Sequence, residues 1–521
     1  MTTRTQTLII LSLAATVIVA QAQTNQTSRT TQVAPATAAA PVALTLSPTE
    51  QAIKDIKNPV SWFSWGADLR IRNEYFHSLI TLDPRALRAE QDYFRFRGRI
   101  WASVTPVEDV SVNARLTDEV REWLKPAGYT PYSPHSGLDW REGLIDNLNI
   151  QWRNVLEQPL NVTVGRQDYL PGTPSGLGDG WLVGDGTPQD GSWTYFLDSA
   201  RFTYTLKEQH TTIDVIGIMQ EAKDDAWLPT INPQHYYLTE QNEKGAILWV
   251  ANKSVPEANF DGYFIYKHDE ASDISPVAQF RPDNADIYTV GGRVSGLVDE
   301  HWKYSVEGAY QFGRKQDLNL NSASTAHPDG NNLVLAPSAQ TGGFRDIDAF
   351  GVTSKLTYLF KDKLNNRLSF SCELLSGDNP NSKNDEMFDV LWGRWPQWSE
   401  IGLYSYAKET RIGQEANLIR FGPGWSFAPV KDMDLSFAYM ALFAPQDVAT
   451  RATGSTGTLF AGNANTSDHG NFRGHFAQAV LKYKFSQHLS GHLWSELLFP
   501  GDYYVNRDAI SFLRGELTFA F

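Results

Sequence analysis

The sequence predicts an all-β fold, a transmembrane antiparallel β-barrel of the bacterial outer membrane with about eighteen strands, short periplasmic turns and long extracellular loops. Three observations predict it. Segments of about ten residues alternate apolar and polar side chains with a period of two. The connections between them alternate short and long along the chain. The chain closes on Leu513-Arg514-Gly515-Glu516-Leu517-Thr518-Phe519-Ala520-Phe521, an alternating apolar face with a terminal phenylalanine.

At the other end, Arg4 precedes an apolar run from Leu8 to Ala20, and Ala20-Gln21-Ala22 offers a small-x-small cleavage site, so residues 1–22 read as an export signal. Its apolar core is short for a membrane span, and no later stretch has the eighteen or so apolar residues of a transmembrane helix. Arg4 is the only charged side chain in 1–22, so cleavage takes the formal net charge from −14 to −15. That acidity argues against nucleic acid as a partner. The one cysteine, Cys372, cannot form an internal disulfide. Aromatics make up 12% of residues, yet mean hydropathy is −0.36. A barrel gives this average, because each strand shows lipid only every second residue and its loops are polar.

Residues 23–64 read as a periplasmic linker. Thr24 to Ala43 is Thr, Gln, Ala and Pro, and Ser47-Pro48-Thr49-Glu50 is a capping box opening a short helix with Ile53 and Ile56 on one side. Such a helix could plug or dock at the barrel mouth, or serve only as a spacer. The barrel is expected over 65–521. Its strands are expected at 66–78, 91–105, 109–119, 143–155, 159–168, 194–206, 211–222, 244–254, 260–269, 285–298, 302–314, 345–360, 366–376, 416–428, 433–444, 472–486, 489–500 and 509–521, with alternation blurred near 244–269. Short links such as Lys207 to His210 and Gln487-His488 alternate with long ones such as 169–193, 315–344 and 377–415. A soluble sandwich has no reason to keep that rhythm.

Within 91–104, Phe94, Phe96 and Ile100 alternate with Arg95, Arg97 and Arg99. In isolation this could be the edge strand of a soluble sheet. In a barrel its facing is decided by magnitude: each Arg at the lipid midplane costs about 2–4 kcal/mol, so the three point into the lumen. The same rule turns inward Arg70, Arg72, Arg115, Arg153, Arg201, Arg293, Arg367, Arg420 and Arg514, together with Lys303, Lys355, Lys482 and Lys484. Inward carboxylates are fewer: Asp68, Glu74, Asp214, Glu307, Glu373, Asp434, Glu496 and Glu516. The expectation is a basic interior with the acid left in the loops. Arg166 is ambiguous, since its parity follows outward Val162 and Val164 at a strand end.

Two stretches resemble the alginate export family of outer-membrane barrels. The first runs from Pro159 to Tyr204 and holds Val164-Gly165-Arg166-Gln167, Gly178-Asp179-Gly180, Trp193 and Phe196-Leu197-Asp198-Ser199-Ala200-Arg201. The second is Glu373-Leu374-Leu375-Ser376-Gly377-Asp378 followed by Met387-Phe388-Asp389-Val390-Leu391. The resemblance implies an eighteen-stranded porin with an arginine-lined pore for a polyuronate. It departs at the last turn, which is tight at Gln487-His488 where the family's best-known member has a long one, so that member's gating does not carry over.

The inward guanidinium excess suits carboxylated solutes, whose two oxygens match the planar fork. The expected partners are therefore an anionic saccharide or carboxylate, outer-membrane lipid and lipopolysaccharide, and the barrel assembly machinery through the strand ending in Phe521. Other readings remain: inward Arg and Glu brace each other, the barrel is an unselective porin, or it is an outer-membrane hydrolase. The last has little support, because no G-x-S-x-G or H-E-x-x-H occurs, and His488 and His492 would lie about 13 Å apart on a strand. No cofactor is expected, except that the loop with Asp168, Asp179, Asp185 and Asp190 and no basic residue could take Ca²⁺ through Asp179 and Asp185.

Overall fold

The computed structural model describes residues 48–78, 89–125, 137–140, 143–184, 196–221, 227–228, 231, 242–270, 284–316, 344–379, 382–393, 398–402, 416–446 and 470–521. The expected export signal at 1–22 falls outside them. Among the described residues nineteen strands make one antiparallel sheet. The first nine are β1 (Phe63–His77), β2 (Glu90–Val107), β3 (Val110–Lys125), β4 (Gly137–Trp140), β5 (Leu144–Trp152), β6 (Leu160–Asp168), β7 (Phe196–Leu206), β8 (Thr211–Gln220) and β9 (Asn242–Val255). There follow β10 (Ala258–Glu270), β11 (Ala285–Val298), β12 (Trp302–Gln316), β13 (Phe344–Leu359), β14 (Arg367–Leu375), β15 (Leu418–Phe427), β16 (Met433–Phe443), β17 (Phe472–Lys484), β18 (Leu489–Pro500) and β19 (Ile510–Ala520).

β4, which the sequence pattern did not predict, pairs with the outer end of β3 from Val120↔Trp140 to Trp123↔Gly137. It extends a hairpin above the wall. The other strands close a ring of eighteen, sealed where β1 meets β19 in register from Asp68↔Ala520 to His77↔Ser511. Closure leaves no unpaired edge, the condition for a β-sheet to sit in hydrocarbon.

Along β1 the outward Leu69 and Ile71 are exposed while the inward Asp68, Arg70, Arg72 and Glu74 are buried. The belt is bounded by aromatics. Toward the short turns lie Trp65 against Phe521 (ring centroids 5.3 Å apart), Trp302 against Tyr358 (4.8 Å) and Trp425 against Phe427 (4.5 Å). Toward the long loops, Tyr288 lies 5.0 Å from Tyr266 and 5.5 Å from Phe312. Such girdles mark the two headgroup levels, because amphipathic rings prefer the interface.

The apolar core lies inside the barrel. Ile216, Ile247, Trp249, Ile265 and Ile287 point inward and receive Tyr169, Leu182, Val183, Leu391 and Trp392 from two long connections that fold into the lumen. These two segments pair with each other: Gly184 N–H donates to the Trp392 carbonyl at 2.8 Å, Trp392 N–H donates to the Leu182 carbonyl at 3.0 Å, and Trp181 stacks on Phe388 at 5.4 Å. The blurred alternation near 244–269 is thereby explained. Around Ile247, Trp249, Tyr263 and Ile265 that wall is apolar on both faces, lipid outside and folded-in loop inside.

Helix α1 (Pro48–Lys57) forms as its Pro and acidic first turn direct. It stops at Asn58, whose N–H and side-chain amide both donate to the Lys54 carbonyl, with Pro59 next. Its last turn meets the outer wall. The indole of outward-facing Trp65 donates to the Ile56 carbonyl at 2.8 Å, and Lys57 Nζ lies 5.9 Å from the ring of outward-facing Phe521.

Candidate functional site

The lumen wall is densest in charge where β1, β2, β3 and β19 adjoin. Register sets Arg70 opposite Arg97 and Arg72 opposite Arg95. Like charges facing across strands repel, and carboxylates from the same wall offset this. Glu119 accepts from Arg95 Nε at 2.8 Å and Arg70 Nη2 at 3.0 Å. Glu74 accepts from Arg514 Nε at 2.8 Å, Arg95 Nη1 at 3.1 Å and Arg72 Nη1 at 3.2 Å. Glu516 accepts from Arg72 Nε at 2.7 Å, and Asp68 from Arg99 Nε at 2.8 Å and Arg97 Nη2 at 3.5 Å. Arg95 is only 1% exposed. Its guanidinium reaches a solute only if these carboxylates move.

The remaining wall repeats the pattern. Arg115 lies between Asp146 and Asp168, 2.8 Å from each, and Arg201 donates to Asp214 at 2.8 Å and to the Ser175 carbonyl at 2.7 Å. Arg293 grips Asp179 with Nε at 3.0 Å and Nη2 at 2.7 Å while Nη1 reaches Asp261 at 2.7 Å. Arg420 donates to Glu373 at 2.6 Å and stacks 4.8 Å over the Trp398 ring, and Arg367 is paired with Asp434. One placement differs from expectation. Arg153 lies past the end of β5 in a short turn, exposed and 3.9 Å from Asp109, because β5 ends at Trp152 rather than at 155. Arg166 keeps outward parity at the rim, where Asp198 takes its fork at 2.8 and 2.9 Å.

The acid expected outside is partly inside. Asp168, Asp179, Glu400 and Asp378 come from long connections or strand ends leading into them, and they neutralise Arg115, Arg293, Arg514 and Arg345 respectively. Asp168 and Asp179 of the acidic loop thus take their cations from the wall. Asp179, expected with Asp185 as a Ca²⁺ ligand, accepts with both oxygens from Arg293, and with one also from Ser305 at 2.6 Å. Partial burial pushes the Asp179 carboxyl up, but the Ser305 and Arg293 hydrogen bonds outweigh it and hold the group below the usual carboxylate range. Asp185 lies outside the described residues, among which no cluster of three or more His, Cys, Asp and Glu could hold a metal.

After this pairing a different set of cations stands out. Lys303, Lys355, Lys482 and Lys484 have inward parity toward the short-turn ends of β12, β13 and β17, and all four are exposed. Among the described residues none makes an ion pair or side-chain hydrogen bond. Sequence reasoning placed them inside but ranked the arginines above them. It missed Glu119, the last residue of the expected strand 109–119, and Arg121 because β3 runs on to Lys125, and Glu400 because its role arises from a loop returning to Arg514.

A closed eighteen-stranded ring with a lipid-facing belt, aromatic girdles and a charged lumen defines an outer-membrane β-barrel channel. The family model described as alginate export matches residues 239–512, just over half of the chain, and the protein belongs to the alginate export family. The second motif stretch, Glu373 to Leu391, lies within that span and the first, Pro159 to Tyr204, outside it. No curated protein matches the sequence. Similar solved structures are barrels of Pseudomonas aeruginosa. OpdK with vanillate is 9% identical over 88% of this chain and 98% of its own, with a TM-score of 0.49. OccK8 (OprE) is 11% identical with the same coverages and TM-score, and OccK5 (OpdH) is 11% identical with the same coverages and a TM-score of 0.47.

Proposed function

We propose that this channel passes anionic solutes passively, uronate-type oligo- or polysaccharides or other carboxylated molecules. The single observation that carries the reading is the lysine set Lys303, Lys355, Lys482 and Lys484, lumen-facing and unpaired among the described residues where the arginines have already met carboxylates. An ammonium is a strongly hydrated point charge that acts through the field it casts into the lumen. In water a charge about 8 Å away acts on a monovalent ion by roughly 0.5 kcal/mol before screening, and several together give severalfold selectivity. Family membership supports the solute class.

The test is reversal potential in planar bilayers under a salt gradient. Wild type is expected to favour anions. Replacing all four lysines by Glu lowers that preference and weakens block by oligouronates, and both effects shrink at 1 M salt, where the Debye length is about 3 Å. A wild type without anion preference would install the unselective-porin reading instead. Lipid hydrolysis by the purified barrel would install the hydrolase reading. We also propose that residues 1–22 are removed on export and that the barrel assembly machinery reads the strand ending in Phe521. N-terminal sequencing of the mature protein tests the first of these.

A further inference from the structure

From the last turn of α1 to the start of β1 the chain exposes three large apolar side chains that no wall covers: Ile56 at 52%, Val60 at 42% and Trp62 at 54%. In a soluble segment these would face water at a cost of about 25 cal/mol per Å² of apolar surface. Their position suggests another solvent. The last turn of α1 is fixed to the outer wall, because Trp65 and Phe521, which hold it, share parity with lipid-facing Leu69 and Phe519. Trp62 is held as firmly: its carbonyl accepts from Thr105 N–H at 2.7 Å, and Val60 and Phe63 close a tight turn into β1 at 3.2 Å. Trp65 and Phe521 belong to the aromatic girdle at the short-turn end of the barrel, so the segment lies at that headgroup level.

The local sequence fits that level. Ile53 and Ile56, three apart, form a short apolar stripe at the end of α1 and Val60 follows past its last residue, while Lys54, Asp55 and Lys57 occupy other positions around the axis. Lysines beside an apolar stripe can reach lipid phosphates while their stems stay in the acyl boundary. The contacts also straddle the seam, since Trp65 is on β1 and Phe521 ends the chain beyond β19.

We propose that Ile53 to Trp62 forms an interfacial foot, inserting Ile56, Val60 and Trp62 into the headgroup boundary of the periplasmic leaflet across the closure seam. The occupant of this surface is phospholipid, by continuity with the lipid-facing belt and by the charge of Lys54 and Lys57. A second protein would need to compete with lipid for a surface already at membrane level.

The experiment uses the full-length barrel with Cys372→Ala and single cysteines at Ile56, Val60 or, as a control, Asp55. Each is labelled with an environment-sensitive fluorophore and reconstituted in phosphatidylethanolamine–phosphatidylglycerol vesicles, after heat-modifiability has shown a folded barrel. Labels at 56 and 60 are expected to shift to the blue and to be quenched roughly twofold more by a nitroxide at the headgroup than by one deep in the acyl chains, with the label at 55 reporting water. If one of the two apolar-site variants fails to fold, the other carries the test. Emission at 56 and 60 matching that at 55, or quenching strongest from the deep nitroxide, overturns the proposal.

Discussion

Replacing Glu74 by Ala tests whether the charge lattice of the wall holds the barrel together. Its carboxylate is 1% exposed and accepts from three arginines at 2.5–3.2 Å. Removing one partner of a buried pair costs about 3–5 kcal/mol, because it strands charge in a poorly solvated place. Here each arginine keeps a second carboxylate: Arg72 has Glu516 at 2.7 Å, Arg95 has Glu119 at 2.8 Å and Arg514 has Glu400 at 2.8 Å. The loss should therefore fall at the low end, about 3 kcal/mol. Glu74→Gln keeps the volume and one acceptor oxygen, and should lose about 1–2 kcal/mol. The assay is denaturant unfolding of the detergent-folded barrel followed by tryptophan fluorescence, where a lower midpoint at unchanged slope reports lost stability. An Ala variant that unfolds at the wild-type midpoint, or a Gln variant that falls as far as Ala, would refute the assignment of Glu74 as a buried hub.

Asp179→Asn removes the loop's charge on Arg293 and should give a larger or noisier single-channel conductance with the barrel still heat-modifiable; unchanged conductance would mean the loop is held by its apolar contacts alone. Because the folded Asp179 carboxyl titrates below its unfolded value of about 3.9, its contribution to loop docking is full above that value and lost as pH falls through the lower folded one, so wild type should approach the Asn variant only in that acid range. Gly393→Ala would set a Cβ 1.8 Å from the Trp181 carbonyl, so the paired in-folded segments must part, read as an altered conductance without loss of the folded barrel. Deleting Phe521 should reduce heat-modifiable protein in the outer membrane at low expression, and wild-type yield would remove its role as an assembly signal.

The same lattice changes what a charge reversal of Arg95 and its neighbours would report. A Glu at 95 would stand between Glu74 and Glu119, so the first effect of replacing Arg95, Arg97 and Arg99 is on stability. Selectivity is better tested on Lys303, Lys355, Lys482 and Lys484, which this pairing does not involve.

What the sequence determined by itself was the wall. The positions of eighteen strands, the inward parity of Arg95, Arg97 and Arg99 and the order of short and long connections follow from a period of two and from the cost of charge in hydrocarbon. Both are local and act on every strand alike. Only the tertiary structure decided what those charges meet. Glu74 and Arg514 lie at opposite ends of the barrel sequence and come together at the seam, Asp179 reaches Arg293 across the lumen, and Trp392 fills a hollow above Gly245. The partner of an inward charge is set by register and by which loops turn into the barrel, and neither leaves a periodic trace in the strand that carries the charge.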